Sequence, residues 1–331
     1  MTSASMTTFT PRPGLSNGHL MTIWAWARRR RFPRLPQPES RYFDVEPGTR
    51  VLSGCYWQQE RSRHPLLIAL HGLEGSSSAH YMQGIADKAF ARGFSVILLN
   101  QRNCGGTEAL CDGLYHSGLT ADAAHVINEV TAQDRIERLV VAGYSLGGNL
   151  ALKLAGDFGS APPPQLRGVC AVSPVIELGR CVEALERRSN LLYQLNFVRG
   201  LRARLRRKNL THPGRFAMDR LAGVWTVRQF DEAYTAPFFG FADATDYYHR
   251  ASALRVVNRI AVPALIITAE DDPFVPVDPF RDPALTGNPN ITLVVTKHGG
   301  HCAFVDRTST ESDGYWAEDQ IVEFALRSCR D

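Results

Sequence analysis

The chain has 331 residues and a mass of 36.7 kDa, enough for one large domain or two ordinary ones. Its apolar fraction of 44% supplies a sizeable core and excludes a disordered chain. The 37 Lys and Arg residues exceed the 33 Asp and Glu residues by only four, so we expect no nucleic-acid partner.

Seven cysteines are spread along the chain with no Cys-x-x-Cys pair and no zinc-ligand spacing. Scattered thiols in odd number are typical of a reducing compartment, so we predict a cytoplasmic protein. No apolar run reaches the roughly 18 residues of a membrane-spanning helix. The arginines Arg28–Arg31 follow the apolar stretch Leu20–Ala27, whereas a secretory signal has them before it, so we expect no targeting segment.

The first forty residues contain five prolines and four consecutive arginines. They predict an N-terminal arm over residues 1–40, with one short helix near Leu20–Arg30. The body of the protein begins near Arg41, because residues 42–45 and 51–57 alternate between apolar and polar side chains as strands do.

Short apolar runs then alternate with amphipathic stretches. The runs at 66–70, 95–99, 139–142 and 168–172 predict strands, and 79–92, 119–132 and 146–156 predict helices. Strands that are apolar throughout are typical of a parallel sheet covered on both faces. The fold class is therefore α/β.

This alternation stops at about Ser173 and resumes at about Val262. The intervening stretch is helical in pattern, aromatic and rich in arginine, and it predicts a helical cap. Strands at 264–268 and 291–296 and a closing helix at 315–327 complete the core. We therefore divide the chain into an arm (1–40), a core (41–175 and 260–331) and a cap or lid (176–259).

The sharpest local pattern is Gly-x-Ser-x-Gly at residues 143–147, between a predicted strand and a predicted helix. In a nucleophile elbow this pattern lifts a serine, here Ser145, out of a tight turn at the edge of the sheet. The following helix start supplies backbone N–H donors and a positive dipole. The alternative is a glycine-rich turn with an ordinary buried serine.

A serine nucleophile needs a histidine base and an acid that orients it, and in this topology the order is Ser, Asp, His. Adjacent Asp271 and Asp272 follow the predicted strand 264–268, and His298 and His301 follow 291–296. We favour Asp272, which opens the Asp-Pro-Phe-Val-Pro turn, and His301, because two glycines precede it. Asp271 and His298 remain alternatives, and either histidine could also lie in a solvated loop.

An oxyanion hole needs two backbone N–H groups. We expect them from Leu146, after the serine, and from Leu73, in the Gly-rich stretch after the first buried strand. No phosphate-binding loop and no dinucleotide fingerprint occur, and the spacing of His298 and His301 is not that of a zinc site. We therefore expect neither a cofactor nor a metal.

A second basic run lies in the predicted cap, with Arg202, Arg204, Arg206, Arg207 and Lys208. Such runs are usually solvated faces. With Leu201 and Leu205 beside it, this run is also compatible with a peripheral contact to an anionic membrane surface.

Several stretches resemble one known family. The elbow Gly-Tyr-Ser-Leu-Gly-Gly-Asn at 143–149 has the form found in α/β-hydrolases. More specific are Asn17-Gly18-His19-Leu20-x-Thr22; His71-Gly72-Leu73-Glu74-Gly75; Phe230-Asp231-x-x-Tyr234-Thr235-Ala236-Pro237 with Gly240-Phe241 and Asp246-Tyr247-Tyr248; and His298-Gly299-Gly300-His301-x-x-Phe304. Over about residues 10–328 the chain resembles the AB hydrolase 4 family, the YheT-type hydrolases.

This resemblance implies an α/β-hydrolase fold with a helical cap and a triad of Ser145, Asp272 and His301. Family members are carboxylesterases of short or medium acyl chains, and some eukaryotic relatives transfer acyl groups to alcohols or act on phospholipids. We therefore expect a carboxylesterase-type serine hydrolase acting on a small-molecule or lipid-like ester. Its acyl pocket should be apolar, lined from the cap by Phe197, Phe230, Phe238 and Phe239. An acyl-alcohol transferase and a catalytically silent scaffold are the alternatives.

Overall fold

The computed structural model describes residues 7–308 and 313–330. Eight strands form one sheet: β1 (Glu39–Glu46), β2 (Thr49–Tyr56), β3 (Leu66–Leu70), β4 (Ser95–Leu99), β5 (Leu139–Tyr144), β6 (Leu166–Val172), β7 (Ala264–Ala269) and β8 (Ile291–Thr296). Their spatial order is β1-β2-β4-β3-β5-β6-β7-β8. The pairs β1–β2 and β2–β4 are antiparallel, and all later pairs are parallel. This confirms the predicted α/β class with a mostly parallel sheet.

Helices cover both faces of the sheet and fill the segment between β6 and β7. They are α1 (Gly18–Ala27), α2 (His80–Ala91), α3 (Thr120–Gln133), α4 (Leu146–Phe158), α5 (Leu178–Leu185), α6 (Leu191–Thr211), α7 (Val227–Phe230), α8 (Ala236–Phe238), α9 (Ala244–Ala251), α10 (Pro283–Thr286) and α11 (Trp316–Ser328). A π-helical turn over Asp231–Thr235 joins α7 to α8.

The two-residue period of the strands sorts their side chains between two apolar layers. Ile68 and Leu70 of β3 join the layer formed with α3 and α4. Leu67 and Ala69 join the opposite layer, formed with α2 and α11. Because β3 to β7 are buried on both faces, they read as mostly apolar runs, apart from the exposed Arg167 near the start of β6.

The carboxyl ends of the parallel strands meet at one edge of the sheet. There β3 leads into residues 71–75, β5 into Ser145, β7 into residues 270–276 and β8 into residues 297–301. Ligands of open α/β sheets bind at this edge, and the predicted functional residues all lie on it.

The secondary structure between Val172 and Ala264 is helical throughout, as the sequence predicts. The longest, α6, runs across the loops at the carboxyl edge and contacts the short helical turn Glu108–Leu110. Within residues 7–308 and 313–330, no helix combines the length and the apolar character needed to cross a bilayer.

Candidate active site

Ser145 occupies a strained turn between β5 and α4. Its φ is +55° and its ψ is −115°, a backbone conformation that side chains other than glycine rarely adopt. A Cβ on Gly143 would lie 2.0 Å from the carbonyl oxygen of Gly147, and a Cβ on Gly147 would lie 2.2 Å from that of Leu70. The two glycines of the pattern are therefore required by close backbone packing.

The backbone of Ser145 is fixed, whereas its hydroxyl is not. The N–H of Ser145 donates to Val172 O at 2.9 Å, and its carbonyl accepts from Asn149 N in the first turn of α4. Among the residues that the structure describes, none makes a hydrogen bond with Ser145 Oγ. The serine lines the main cavity of this edge.

His301 and Asp272 form a buried pair. The His301 Nδ1 and Asp272 Oδ2 atoms are 2.9 Å apart, and the Asp272 side chain is fully buried. Asp272 Oδ1 accepts the N–H groups of Phe274 and Val275 at 3.1 and 2.9 Å. The carboxylate is thus held by its own turn, with its second oxygen left for the imidazole.

Burial and charge act in opposite directions on His301. Burial disfavours the imidazolium, while the Cys302 sulfur and the Asp272 carboxylate favour it, and the net effect raises the pKa of His301 above its ordinary value of 6.5. Asp272 therefore stabilises the protonated form that a base reaches after it accepts a proton.

The two alternative residues form a separate pair. His298 Nδ1 lies 3.3 Å from Asp271 Oδ2, and Asp271 Oδ1 accepts the Gly300 N–H at 2.9 Å. This pair is more exposed than the first. It joins the loop after β7 to the loop after β8. In the described part of the chain, no three His, Cys, Asp or Glu side chains come together as a metal-binding set.

The serine turn and the histidine loop converge on the end of β6. Val172 O accepts the N–H of Ser145 at 2.9 Å and lies 3.5 Å from Cys302 Sγ. The N–H of Cys302 also donates to Ser173 Oγ at 3.1 Å. The two segments therefore share one anchor, which holds the base near the serine.

In the loop after β3, one backbone N–H group has no hydrogen-bond acceptor among the described residues. The N–H groups of Gly72, Glu74 and Gly75 donate to Tyr81 Oη, Tyr115 Oη and Gly72 O, respectively. The Leu73 N–H has no such acceptor among the described residues. Leu146 lies in the first turn of α4, where N–H groups lack an intrahelical acceptor. These are the two amides that the sequence predicts for an oxyanion hole.

A largely apolar cavity opens beside Ser145, between the core and α5 to α7. The space free of atoms in this region is about 740 Å³ and includes open solvent. Phe197 and Phe230 line it as predicted. The expectation for Phe238 and Phe239 is wrong, because their rings pack on each other, with Phe238 also against Phe216 and Phe239 also against His116.

The lining does not include His301 or Asp272. Phe274 connects the two regions. Its ring lines the cavity, and its centroid is 4.1 Å from that of His301. The aromatic ring of Phe274 therefore contacts both the cavity and His301.

Two buried charges border the cavity, and both have internal partners. Arg204 pairs with Glu74 at 2.5 Å, and Asp231 accepts hydrogen bonds from Thr235 and Tyr248 at 2.7 and 2.8 Å. Burial raises the pKa of Asp231 to about 6. These contacts give Asp231 a structural role in the cap.

The basic run of α6 is only partly a solvated face, which corrects the sequence interpretation. Arg204 is buried against Glu74, and Lys208 donates to Glu108 O at 2.7 Å. Leu201 and Leu205 are buried in the core, so they present no apolar surface to a membrane. Helical periodicity turns these four side chains inward and leaves Arg206 and Arg207 outside.

The N-terminal arm contributes a residue that the sequence analysis did not single out. Thr22 Oγ1 accepts the backbone N–H of His301 at 2.8 Å and donates to Gly18 O at 2.6 Å. A Cβ on Gly18 would lie 1.8 Å from the carbonyl oxygen of Asp271. The stretch Asn17–Thr22 carried the resemblance to the family, but spacing alone did not link it to the histidine.

A family model described as the α/β hydrolase fold matches residues 65–308 of the chain. An Escherichia coli K12 protein named "Putative esterase YheT" is 31% identical, over 97% of this chain and 94% of that protein. The mouse protein named "Phospholipase ABHD3" is 29% identical, over 89% of this chain and 75% of that protein.

The fold also matches solved structures. The Pyrococcus furiosus esterase Pf2001 superposes with a TM-score of 0.58 at 16% identity, over 91% of this chain and 96% of that one. At this identity the likeness concerns the fold alone.

Proposed function

This chain belongs to the α/β-hydrolase fold family, in its YheT-type AB hydrolase 4 branch, and we propose that it cleaves carboxylic esters through Ser145, His301 and Asp272. It is an esterase-type hydrolase. The observation that carries the proposal is that the loop with the Asp272–His301 pair and the strained turn of Ser145, whose hydroxyl makes no hydrogen bond with the described residues, are both anchored on Val172 O.

In the acylation step, Ser145 Oγ attacks the carbonyl carbon of the ester, and His301 Nε2 takes the hydroxyl proton. Asp272 accepts the Nδ1–H bond, which fixes the tautomer with a free Nε2 lone pair. The imidazolium then gives its proton to the leaving oxygen, and the alcohol departs from an acyl-enzyme. Water attacks this intermediate by the same proton transfers, releasing the acid and the serine.

The tetrahedral intermediate carries a negative oxygen in each step. The N–H groups of Leu73 and Leu146 are suited to bind it, because neither has another acceptor on its own loop or helix. Buried His71 accepts the Gln101 N–H at 3.1 Å, and burial lowers the pKa of His71 to about 4. A neutral His71 therefore supports the loop that carries Leu73 without adding a charge near the oxyanion.

The cavity supports a neutral, apolar acyl group of short to medium length. Its wall is mostly aliphatic and aromatic, and its two charged groups are already satisfied by protein partners. Burying a substrate charge there would cost free energy without a free counter-ion. These features constrain the acyl group and not the alcohol part of the ester.

We also propose that residues 176–259 act as a cap over this cavity, with residues 41–175 and 260–331 as the core and 1–40 as the arm. The contact that supports a cap is the ion pair of Arg204, in α6, with Glu74, in the loop that carries Leu73. All seven cysteines are free, which supports a reducing compartment such as the cytoplasm.

Fluorophosphonate labelling of the full chain tests the proposal. We expect one label, on the peptide that contains Ser145, together with turnover of p-nitrophenyl esters that is highest at short or medium chain length. A folded protein that takes no label and cleaves no ester is a scaffold and contradicts the proposal. If added alcohol converts the released acid into a new ester, the transferase alternative replaces hydrolysis.

We expect Thr22→Val to lower kcat by about tenfold while KM changes by less than about twofold, because the substitution frees the histidine loop without touching the cavity. Valine keeps the shape of threonine but leaves the His301 N–H without its acceptor. Thr22→Ser keeps the hydroxyl and should restore kcat. Equal kcat in the valine and serine variants, with both folded, would show that Thr22 does not position the base.

A further inference from the structure

The outer face of α1 is apolar although it lies on the surface. Leu20, Ile23 and Trp26 follow at three-residue spacing and are all exposed, with 71% of Trp26 accessible. The opposite face packs on the protein through Met21, which is fully buried, and Thr22. The exposed side chains therefore take no part in attaching the helix to the rest of the protein.

A second exposed apolar group lies at the start of α6. Leu191, Leu192 and Leu195 are exposed, with 76% of Leu192 accessible. The two helices meet between these groups, since His19 Nδ1 lies 3.3 Å from Tyr193 Oη and their rings stack at 5.8 Å. We call the six exposed apolar residues the α1–α6 face. Large apolar surfaces of this kind mark interaction sites.

The two chain segments that carry the α1–α6 face are basic. Residues 7–38 and 187–211 contain no Asp and no Glu. Several arginines in these segments are exposed and have no carboxylate at ion-pair distance among the described residues: Arg28, Arg29, Arg31, Arg187, Arg188 and Arg199. Exposed apolar side chains with exposed arginines in the same segments match a surface with an apolar interior and anionic headgroups.

The same face adjoins the active site. Tyr193 packs on Phe274 at 5.3 Å between ring centroids, and Phe274 packs on His301 at 4.1 Å. The inner side of α1 holds the His301 loop through Thr22. The rings of Tyr193 and Phe274 therefore link the α1–α6 face to the base and to the cavity.

We propose that the α1–α6 face docks on the anionic surface of a lipid bilayer or lipid aggregate. A second copy of the chain is a poor occupant, because a two-fold contact through this face would bring arginines against arginines. Docking brings the lipid up to the helices that border the site, so a lipid ester has a short path to the cavity. This last step rests on the proposed esterase function, whereas docking itself does not.

Vesicle sedimentation with the full chain carrying Ser145→Ala tests docking without catalysis. We expect binding to phosphatidylcholine vesicles that contain phosphatidylglycerol, weaker binding to phosphatidylcholine alone, and release by high salt. Leu20→Glu with Leu192→Glu should lower the partition coefficient by about tenfold or more, since two inserted leucines become anions. In the otherwise wild-type chain, these two substitutions should leave turnover of a water-soluble ester unchanged.

Leu210→Glu is the matched control. Leu210 is 79% exposed on the same helix, and its substitution changes the charge as Leu192→Glu alone does, but it lies about 27 Å from Leu192 along α6. We expect this variant to bind vesicles as the parent does. Equal losses in both variants, or no vesicle binding by the parent, would overturn docking. A change from dimer to monomer in Leu192→Glu, without lipid binding, would assign the face to a second copy.

Discussion

Replacing Ser145 by alanine should lower kcat for a p-nitrophenyl ester by about 10⁴-fold or more, because no other group then attacks the carbonyl. The protein should remain folded, with a melting temperature close to that of the parent. Ser145 Oγ makes no hydrogen bond with the described residues, so its removal leaves no buried group without a partner. Turnover and thermal unfolding of the same preparation provide the measurement.

Ser117→Ala is the control within the same cavity. Ser117 also lines it, but its hydroxyl is 2.9 Å from Tyr247 Oη and so is already engaged. We expect less than a tenfold change in kcat/KM from this substitution, on the order of one lost hydrogen bond. If both alanine variants lose activity equally, serine chemistry is not specific to residue 145. If Ser145→Ala keeps its activity, the nucleophile is another group.

The sequence predicts the core of the fold closely. Strands β3, β4 and β8 match the predicted bounds to the residue, because each is a short apolar run between turn residues. The elbow is equally local, since Gly143, Ser145 and Gly147 describe a turn whose neighbours are close in sequence. Signals of this kind depend on a few adjacent residues and not on how distant segments pack.

The cap is harder to predict, because its side chains are sorted by tertiary contacts. Arg204 and Arg206 look alike in the sequence, but one is buried against Glu74 and the other is exposed. Phe238 and Phe230 are equally apolar, but only Phe230 lines the cavity. Apolar character therefore predicts burial in this segment without identifying the pocket wall.

Neighbouring acids and histidines are ambiguous for another reason. Asp271 and Asp272 differ only in which way their turn directs them, and each finds a histidine partner. What distinguishes Asp272 is three-dimensional, because its carboxylate is fully buried and braced by two backbone N–H groups. The same limit hides Thr22, whose hydroxyl reaches His301 from 279 residues away.

Because the two acids differ in this way, a comparison of their asparagine variants is a stringent test of the triad. Asp272→Asn should lower kcat by about 10⁴-fold, whereas Asp271→Asn should change it by less than about threefold. An asparagine at 272 can still accept the N–H groups of Phe274 and Val275, but its NH₂ group then faces His301 Nδ1. The imidazole turns to the tautomer that carries its proton on Nε2, which cannot take a proton from serine. Comparable losses in both variants would mean that the outer pair, Asp271 with His298, serves the base.

The pH profile separates this electrostatic role from a merely structural one. The base must be neutral to act, so kcat/KM of the parent should rise with pH through the pKa of His301, which lies above 6.5. Removing the charge of Asp272 leaves burial opposed only by Cys302 and lowers that pKa, so the acid limb of the profile moves to lower pH while its plateau falls. Asp271→Asn should keep both the limb and the plateau of the parent. An acid limb that stays in place in Asp272→Asn would show that the carboxylate does not set the protonation of the base.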